Sequence, residues 1–145
     1  EVLKNATLNL PEGKMTFDAV LMDKRGVYLV RTYGWGIKIY GTPDGAMWRR
    51  EDAKRKEEFE NPLLNLKKGA EEIGKIMEEN GVHNLKVMPM VVFADNYQTP
   101  ELYLGYGSYS TTYQELKSWY KKQSGVKEVQ YDYDKVSSII KGLVK

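Results

Sequence analysis

The sequence MTFDAVLMDKRGVYLVRTY, residues 15–33, contains the two strand-forming runs that decide the fold. Turn residues at 23–26 separate the runs, and both runs contain β-branched and aromatic residues. The second run opens with four consecutive apolar residues, Val27–Val30, a pattern typical of a strand that is buried on both faces. The stretch therefore predicts two consecutive strands, the second of which is fully buried.

Further strand and helix signals lie on both sides of this stretch. Residues 6–10 and 37–41 are short β-rich runs bounded by turn residues. Asn61-Pro62 opens an amphipathic helix that ends near Asn80-Gly81, and its apolar face holds Leu63, Leu66, Ala70, Ile73 and Met77. Residues 85–93 predict a central strand whose first half lies at an edge or bulge because of Pro89. A strand that follows a helix also indicates a parallel strand pair.

Two helices complete the predicted order. Thr112 and Glu115 match a capping box before a helix, and a last short helix is marked by Val136, Ile139, Ile140 and Leu143. Because the chain has no repeat and no domain linker, residues 1–145 predict a single domain of mixed α and β structure around one sheet. Its first residue is Glu1 rather than Met, so we expect a fragment of a longer protein whose upstream segment is missing.

The composition excludes several classes of function. The 145 residues contain 22 Lys and Arg against 20 Asp and Glu, and a net charge of only +2 does not mark a nucleic-acid binder. The chain has no Cys and one His, which excludes disulfides, thiolate zinc sites, iron–sulfur clusters and sites built from several histidines. The mean hydropathy is −0.57 and no long apolar run exists, so we expect a soluble domain without membrane contact, located in the cytoplasm.

Several motifs follow one another in a characteristic order: Thr16–Met22, Gly26–Val30, Gly41, Trp48, Phe59–Leu63 and Val91–Phe93. Together they resemble the nuclease-related domain, NERD, a branch of the PD-(D/E)XK restriction-endonuclease-like superfamily. The resemblance implies a restriction-endonuclease-like core, in which a central mixed β-sheet is flanked by helices. The fold class is therefore α/β in the broad sense that it contains both helices and strands, and mixed α+β in the strict sense.

The resemblance also implies where the active site lies. Asp18 occupies the position of a metal-binding Asp, whereas Arg31 and Tyr33 occupy the positions of the expected Glu and Lys. A guanidinium cannot ligate a cation and stays protonated, so we expect Arg31 to form an ion pair with Asp18 and no metal cofactor to bind. Asn65 stands where the family carries a Gln near the site. The site is therefore predicted to be degenerate.

An alternative hypothesis retains activity. In an active metal-dependent DNA or RNA endonuclease, Asp18 would bind Mg²⁺ or Mn²⁺, and Lys38 and Glu60 would have taken over the duties of the missing Lys and Glu. Family members usually carry a further Glu on an N-terminal helix. In this sequence no such helix precedes the first predicted strand.

Two segments are candidate binding surfaces. Residues 49–58 hold the basic side chains that would contact the phosphates of a nucleic acid, but their interleaved acids favour a solvated loop or helix face. These basic residues are Arg49, Arg50, Lys54, Arg55 and Lys56. Tyrosines crowd the Tyr-rich segment, residues 97–120, and include Tyr106 and Tyr109. They would stack on bases or contact a protein, or else cover the edge of the core with their hydroxyls in water.

Three functions remain open at this point. The first is a catalytically inactive nuclease-related domain that binds a nucleic acid or a protein. The second is the active endonuclease with migrated catalytic residues. The third is a purely protein-interaction or oligomerisation domain, whose contact surface is the Tyr-rich segment.

Overall fold

The computed structural model describes residues 1–23, 25–34, 37–95, 98–122 and 131–144. The elements in chain order are β1 (Val2–Leu10), β2 (Gly13–Asp23), β3 (Gly26–Tyr33), β4 (Lys38–Tyr40), β5 (Met47–Glu51), β6 (Lys56–Glu60), α1 (Pro62–Glu79), β7 (Val87–Phe93), β8 (Glu101–Tyr103), β9 (Ser110–Thr112), α2 (Leu116–Lys122) and α3 (Tyr133–Leu143). The predicted mixed α+β fold is confirmed.

The described strands fall into two mixed sheets rather than the one that the sequence predicted. The first has the order β1-β2-β3-β7-β9, and the second has the order β6-β5-β4-β8. The β1–β2–β3 pairs are antiparallel and β7 is parallel to β9, while in the second sheet β8 is parallel to β4 and the other pairs are antiparallel. The parallel pairing of β7, the strand that follows α1, bears out the predicted parallel strand pair.

The chain divides into two compact units, and the division passes through β3, α1 and β7. Unit 1 comprises Glu1–Val30, Leu66–Pro89 and Ser124–Lys145, and unit 2 comprises Arg31–Asn65 and Met90–Gln123. The core of unit 1 includes Leu8, Phe17, Val20, Leu29, Ile73, Met77 and Ile140. That of unit 2 includes Ile39, Trp48, Leu63, Val91 and Phe93.

Two local features of unit 1 are the tight turn at Gly26 and the packing of its last helix, α3. Gly26 has φ +137°, and a Cβ there would overlap the carbonyl oxygen of Lys86, so this turn requires glycine. Asp132 caps α3 by accepting a hydrogen bond from the N–H of Lys135 at 3.1 Å. The helix then packs against β1 and β2. The predicted last helix and the predicted burial of Val27–Val30 are both confirmed.

The prediction of a loop or helix face at residues 49–58 is wrong, although most of these residues are exposed to solvent as predicted. These residues form a hairpin of β5 and β6, in which Trp48 lies opposite Phe59 and Arg50 lies opposite Glu57. Alternate residues of a strand share a face, so the Trp48–Phe59 pair and the Arg50–Glu57 pair lie on the same face of the hairpin. Trp48 and Phe59 anchor it as the inner face. The Trp48 ring also packs so closely on Gly41 that a Cβ at Gly41 would overlap it.

Candidate functional site

Asp18 lies on β2 in unit 1, at a point where the strand changes its buried face. Its side chain is exposed, while Phe17 on one side and Val20 and Met22 on the other are buried. The flanking register pairs, Lys4 with Ala19 and Ala6 with Phe17, bracket Asn5 opposite Asp18. Asn5 has φ +50°, a conformation that Asn tolerates better than most residues. The strand pair is therefore irregular at Asp18, a feature that the sequence prediction missed.

Arg31 and Tyr33 lie at the end of β3, in unit 2. The β2–β3 register reaches Ala19 opposite Val30, and Arg31 follows as a half-buried residue. A guanidinium and a phenol stand here where a carboxylate and an ammonium were expected, and these groups do not fit a divalent cation, which prefers carboxylate and carbonyl oxygens. The ion pair between Asp18 and Arg31 stays a prediction.

Tyr33 is part of an aromatic cluster, which we define as Tyr33, Trp48, Phe59 and Phe93. The Tyr33 ring lies 5.5 Å from that of Phe93, nearly parallel to it, and 5.8 Å from that of Phe59. Trp48 contacts Phe59 edge-on at 6.2 Å and Phe93 at 6.4 Å. The Tyr33 carbonyl also accepts a hydrogen bond from the N–H of Ala94 at 2.9 Å. The position of the expected lysine is thus built into the packing of unit 2.

Lys38 and Glu60, the candidate migrated groups, lie at different ends of the second sheet. Lys38 pairs with Glu51 and Glu60 pairs with Met47, so their partners are separated by four residues along β5. Four residues of strand span about 13 Å. Both side chains are exposed. The sheet therefore does not bring Lys38 and Glu60 to one point, and the migrated-residue hypothesis stays a prediction for their relation to Asp18.

Asn61 is a structural residue whose role the sequence did not predict. Its buried Nδ2 donates to the carbonyls of Pro43 at 3.0 Å and Gly45 at 2.8 Å, while Oδ1 accepts from the N–H of Leu63 at 2.9 Å. One amide thus holds the turn before β5 and caps the start of α1. Pro62 in the first turn and Glu79 at the end confirm the predicted helix. Asn65 lies on this helix and is half-buried.

The outer face of the second sheet carries two rows of alternating side chains. Directly opposite residues share a face. The register gives one row of Lys56, Glu51, Lys38 and Glu101 and another of Glu58, Arg49, Tyr40 and Tyr103. The Arg49 guanidinium lies 4.8 Å from the centre of the Tyr40 ring, which stacks on Tyr103 at 4.9 Å.

Acidic partners occupy most of the basic residues that were predicted to bind phosphates. Glu51 lies 3.2 Å from Nε of Arg49 and 3.7 Å from Nζ of Lys56, and Arg50 forms an ion pair with Glu57. Lys54 and Arg55 lie in the hairpin turn, where their backbone N–H groups donate to Asp52. The N–H of Lys54 is the main cause that lowers the pKa of Asp52 below its ordinary value. Their phosphate-binding role stays a prediction.

The Tyr-rich segment exposes its rings to different extents. Tyr106 is fully exposed, Tyr103, Tyr109 and Tyr113 are largely or partly exposed, and Trp119 is half-buried. The N–H of Glu115 donates to the Thr112 hydroxyl at 3.2 Å, which confirms half of the predicted capping box. Tyr97 and the Tyr120 side chain lie outside the described residues.

Two general features complete the description of the site. Over the described residues no group of three or more His, Cys, Asp or Glu side chains is placed to hold a metal ion. In the same part of the chain no helix is both long enough and apolar enough to cross a membrane. His83 is exposed, and its Nδ1 is hydrogen-bonded to the carboxylate of Glu78, which lowers the pKa of that carboxyl.

Comparison with known families supports the resemblance found in the motifs. The family model described as the nuclease-related domain, NERD, matches residues 1–94, which include β1 to β7 and the positions of Asp18, Arg31 and Tyr33. No curated protein and no solved structure matches the chain. The match covers more than half of the 145 residues. The chain therefore belongs to the nuclease-related domain family.

Proposed function

We propose that this nuclease-related domain does not hydrolyse nucleic acids and acts by binding a protein. The observation that carries the proposal is the packing of Tyr33. The ring occupies the position of the expected lysine and contacts both Phe59 and Phe93 in the aromatic cluster. A phenol in this setting does not supply the cation that stabilises charge developing on a phosphate.

Arg31 supports the same proposal through its charge. It stands at the position of the expected Glu, two residues before Tyr33 on β3. A permanently protonated guanidinium repels a divalent cation. Because it stands in place of the Glu, it also does not supply the second carboxylate that a Mg²⁺ or Mn²⁺ site at Asp18 needs. Neither ion is therefore part of the proposed function.

The charge pattern of the second sheet favours a protein over a nucleic acid as the partner. Non-specific binding to nucleic acids depends on clustered Lys and Arg that neutralise phosphates. On this face each cation of one row neighbours a carboxylate, as Lys56 and Lys38 both neighbour Glu51. Exposed aromatic and Arg side chains, such as Tyr103 and Arg49, are the types enriched at protein interfaces.

A cleavage assay tests the proposal. Supercoiled plasmid and single-stranded DNA are incubated with the protein in Mg²⁺ and then in Mn²⁺, with identically purified Asp18→Ala protein as the matched control. We expect the two proteins to give the same background. Metal-dependent cutting that disappears in Asp18→Ala would refute the proposal and establish the active endonuclease instead.

A further inference from the structure

A cleft of about 430 Å³ lies in unit 2 beside two strands that end their sheets within the part of the chain that the structure describes. Its walls are residues 99–102, which include the first two residues of β8, residues 110–112, which form β9, and Glu115, Ser118, Trp119 and Lys122. In the strand orders β8 ends the second sheet and β9 ends the first. The cleft is therefore lined by two edge strands, which carry backbone groups able to pair with a further strand.

The hydrogen bonds of β8 show which of its groups point outward. The N–H of Glu101 donates to the carbonyl of Ile37 at 2.7 Å, and the carbonyl of Tyr103 accepts from the N–H of Gly41 at 3.1 Å. In a parallel pair, alternate residues bond to the same neighbour. Residues 101 and 103 thus bond to the β4 side, and the N–H and C=O of Leu102 point to the open edge.

The same argument applies to β9. The carbonyl of Tyr109 accepts from the N–H of Val91 at 3.0 Å, and the N–H of Tyr113 donates to the carbonyl of Phe93 at 2.8 Å. Ser110 and Thr112 therefore direct their backbone groups away from β7. The carbonyl of Thr112 accepts from the N–H of Glu115 at 3.1 Å, whereas the N–H and C=O of Ser110 face the edge.

The side chains of the cleft suit a cationic, extended ligand. Among the described wall residues, Glu101 and Glu115 supply two carboxylates and Lys122 one ammonium, and the Glu101 carboxylate also accepts a hydrogen bond from the Tyr103 hydroxyl at 3.0 Å. Trp119 supplies an aromatic surface, and the remaining described walls are Pro100, Leu102 and several Ser and Thr residues. A strand residue fills a block about 3.3 by 4.8 by 10 Å, so the volume accommodates roughly three residues of an extended chain.

We infer that this cleft binds a positively charged, extended peptide segment of a partner protein by strand addition. The backbone of the peptide pairs with the outward groups of Leu102 or Ser110, and its basic side chains face Glu101 and Glu115. This inference deepens the proposed function, on which it rests, because it names the site and the class of partner.

A titration with a defined probe tests the inference. The ¹⁵N-labelled chain is titrated with the peptide acetyl-Val-Lys-Val-Lys-Val-amide, and amide shifts and hydrogen exchange are followed. We expect shifts centred on Leu102 and Ser110, and slower exchange of at least one of these two amides. Trp119→Ala should weaken binding about tenfold, while Tyr113→Ala, an exposed ring that is not part of the cleft wall, should leave it unchanged.

Two N-methylated peptides keep the test independent of protein folding. One carries N-methyl groups on the valines and the other on the lysines, so each blocks the donors along one side of the peptide. Loss of about tenfold in affinity for at least one of them supports strand addition. Equal affinity for all three peptides, shifts elsewhere in the chain, or no binding would overturn the inference. Cutting by the metal-loaded protein would refute the proposed function while leaving these shifts unaffected, so the two failures are distinguishable.

Discussion

Replacing Tyr33 with the lysine that the family position would carry perturbs the aromatic cluster directly. The side chain of Tyr33 contacts the rings of Phe93 at 5.5 Å and Phe59 at 5.8 Å. Each such aromatic pair contributes about 0.5–1.5 kcal/mol beyond the area that it buries. Tyr33→Lys removes both pairs, so we expect the free energy of unfolding to fall by about 1–3 kcal/mol.

The matched control is Tyr33→Phe, which keeps both ring contacts and removes only the hydroxyl. We expect it to cost less than about 1 kcal/mol. Chemical denaturation measures both variants, and a loss of 1–3 kcal/mol corresponds to about 2–12 °C in the melting temperature of a chain of this size. If Tyr33→Lys is no less stable than Tyr33→Phe, Tyr33 is not a packing residue and the main support of the proposed function fails.

Three further predictions concern individual side chains. Gly26→Ala should destabilise the chain by at least about 2 kcal/mol, because Gly26 has φ +137° and a Cβ there would overlap the backbone of Lys86. The control Gly34→Ala, which has open space around it, should cost under about 0.5 kcal/mol. Equal losses on chemical denaturation would contradict this prediction. By the same measurement Asn61→Ala should cost about 2–4 kcal/mol, because it removes the helix cap and the hydrogen bonds to the turn. The control Asn65→Ala should cost under about 1 kcal/mol. A smaller loss for Asn61→Ala than for Asn65→Ala would contradict the structural role of Asn61. Burial raises the pKa of the Tyr131 hydroxyl to about 12. The contribution of Tyr131 to the stability of the folded chain is therefore complete below pH 10.0 and is lost as the pH rises toward 12. An NMR titration of the Tyr131 ring with a midpoint near pH 10.0 would contradict this prediction.

The sequence predicted those elements whose signals are local. The 3,4 spacing from Leu63 to Met77, with Pro62 before it and Gly81 after it, is sufficient to define α1 because a helix is built from neighbours in the chain. Val27–Val30 likewise identified a strand that is buried on both faces.

The remaining features depend on contacts that are distant in sequence. Residues 47–60 carry so many charges that only Trp48 and Phe59 indicate an inner face, and their pairing across the hairpin is visible only in the structure. The division into two sheets depends on partners far apart in the chain, as when β8 pairs with β4. A change of residue type at Tyr33 was visible in the sequence, whereas its packing on Phe93 was not.

The central proposal is that the position of the nuclease site in this domain is occupied by packing residues and does not bind a metal ion. Binding of Mn²⁺, followed by the loss of the free-ion signal in electron paramagnetic resonance, tests this claim most directly when the chain is compared with Asp18→Ala. We expect the two proteins to give the same weak, non-saturating titration. Stoichiometric, saturable binding of Mn²⁺ that disappears in Asp18→Ala would contradict the claim.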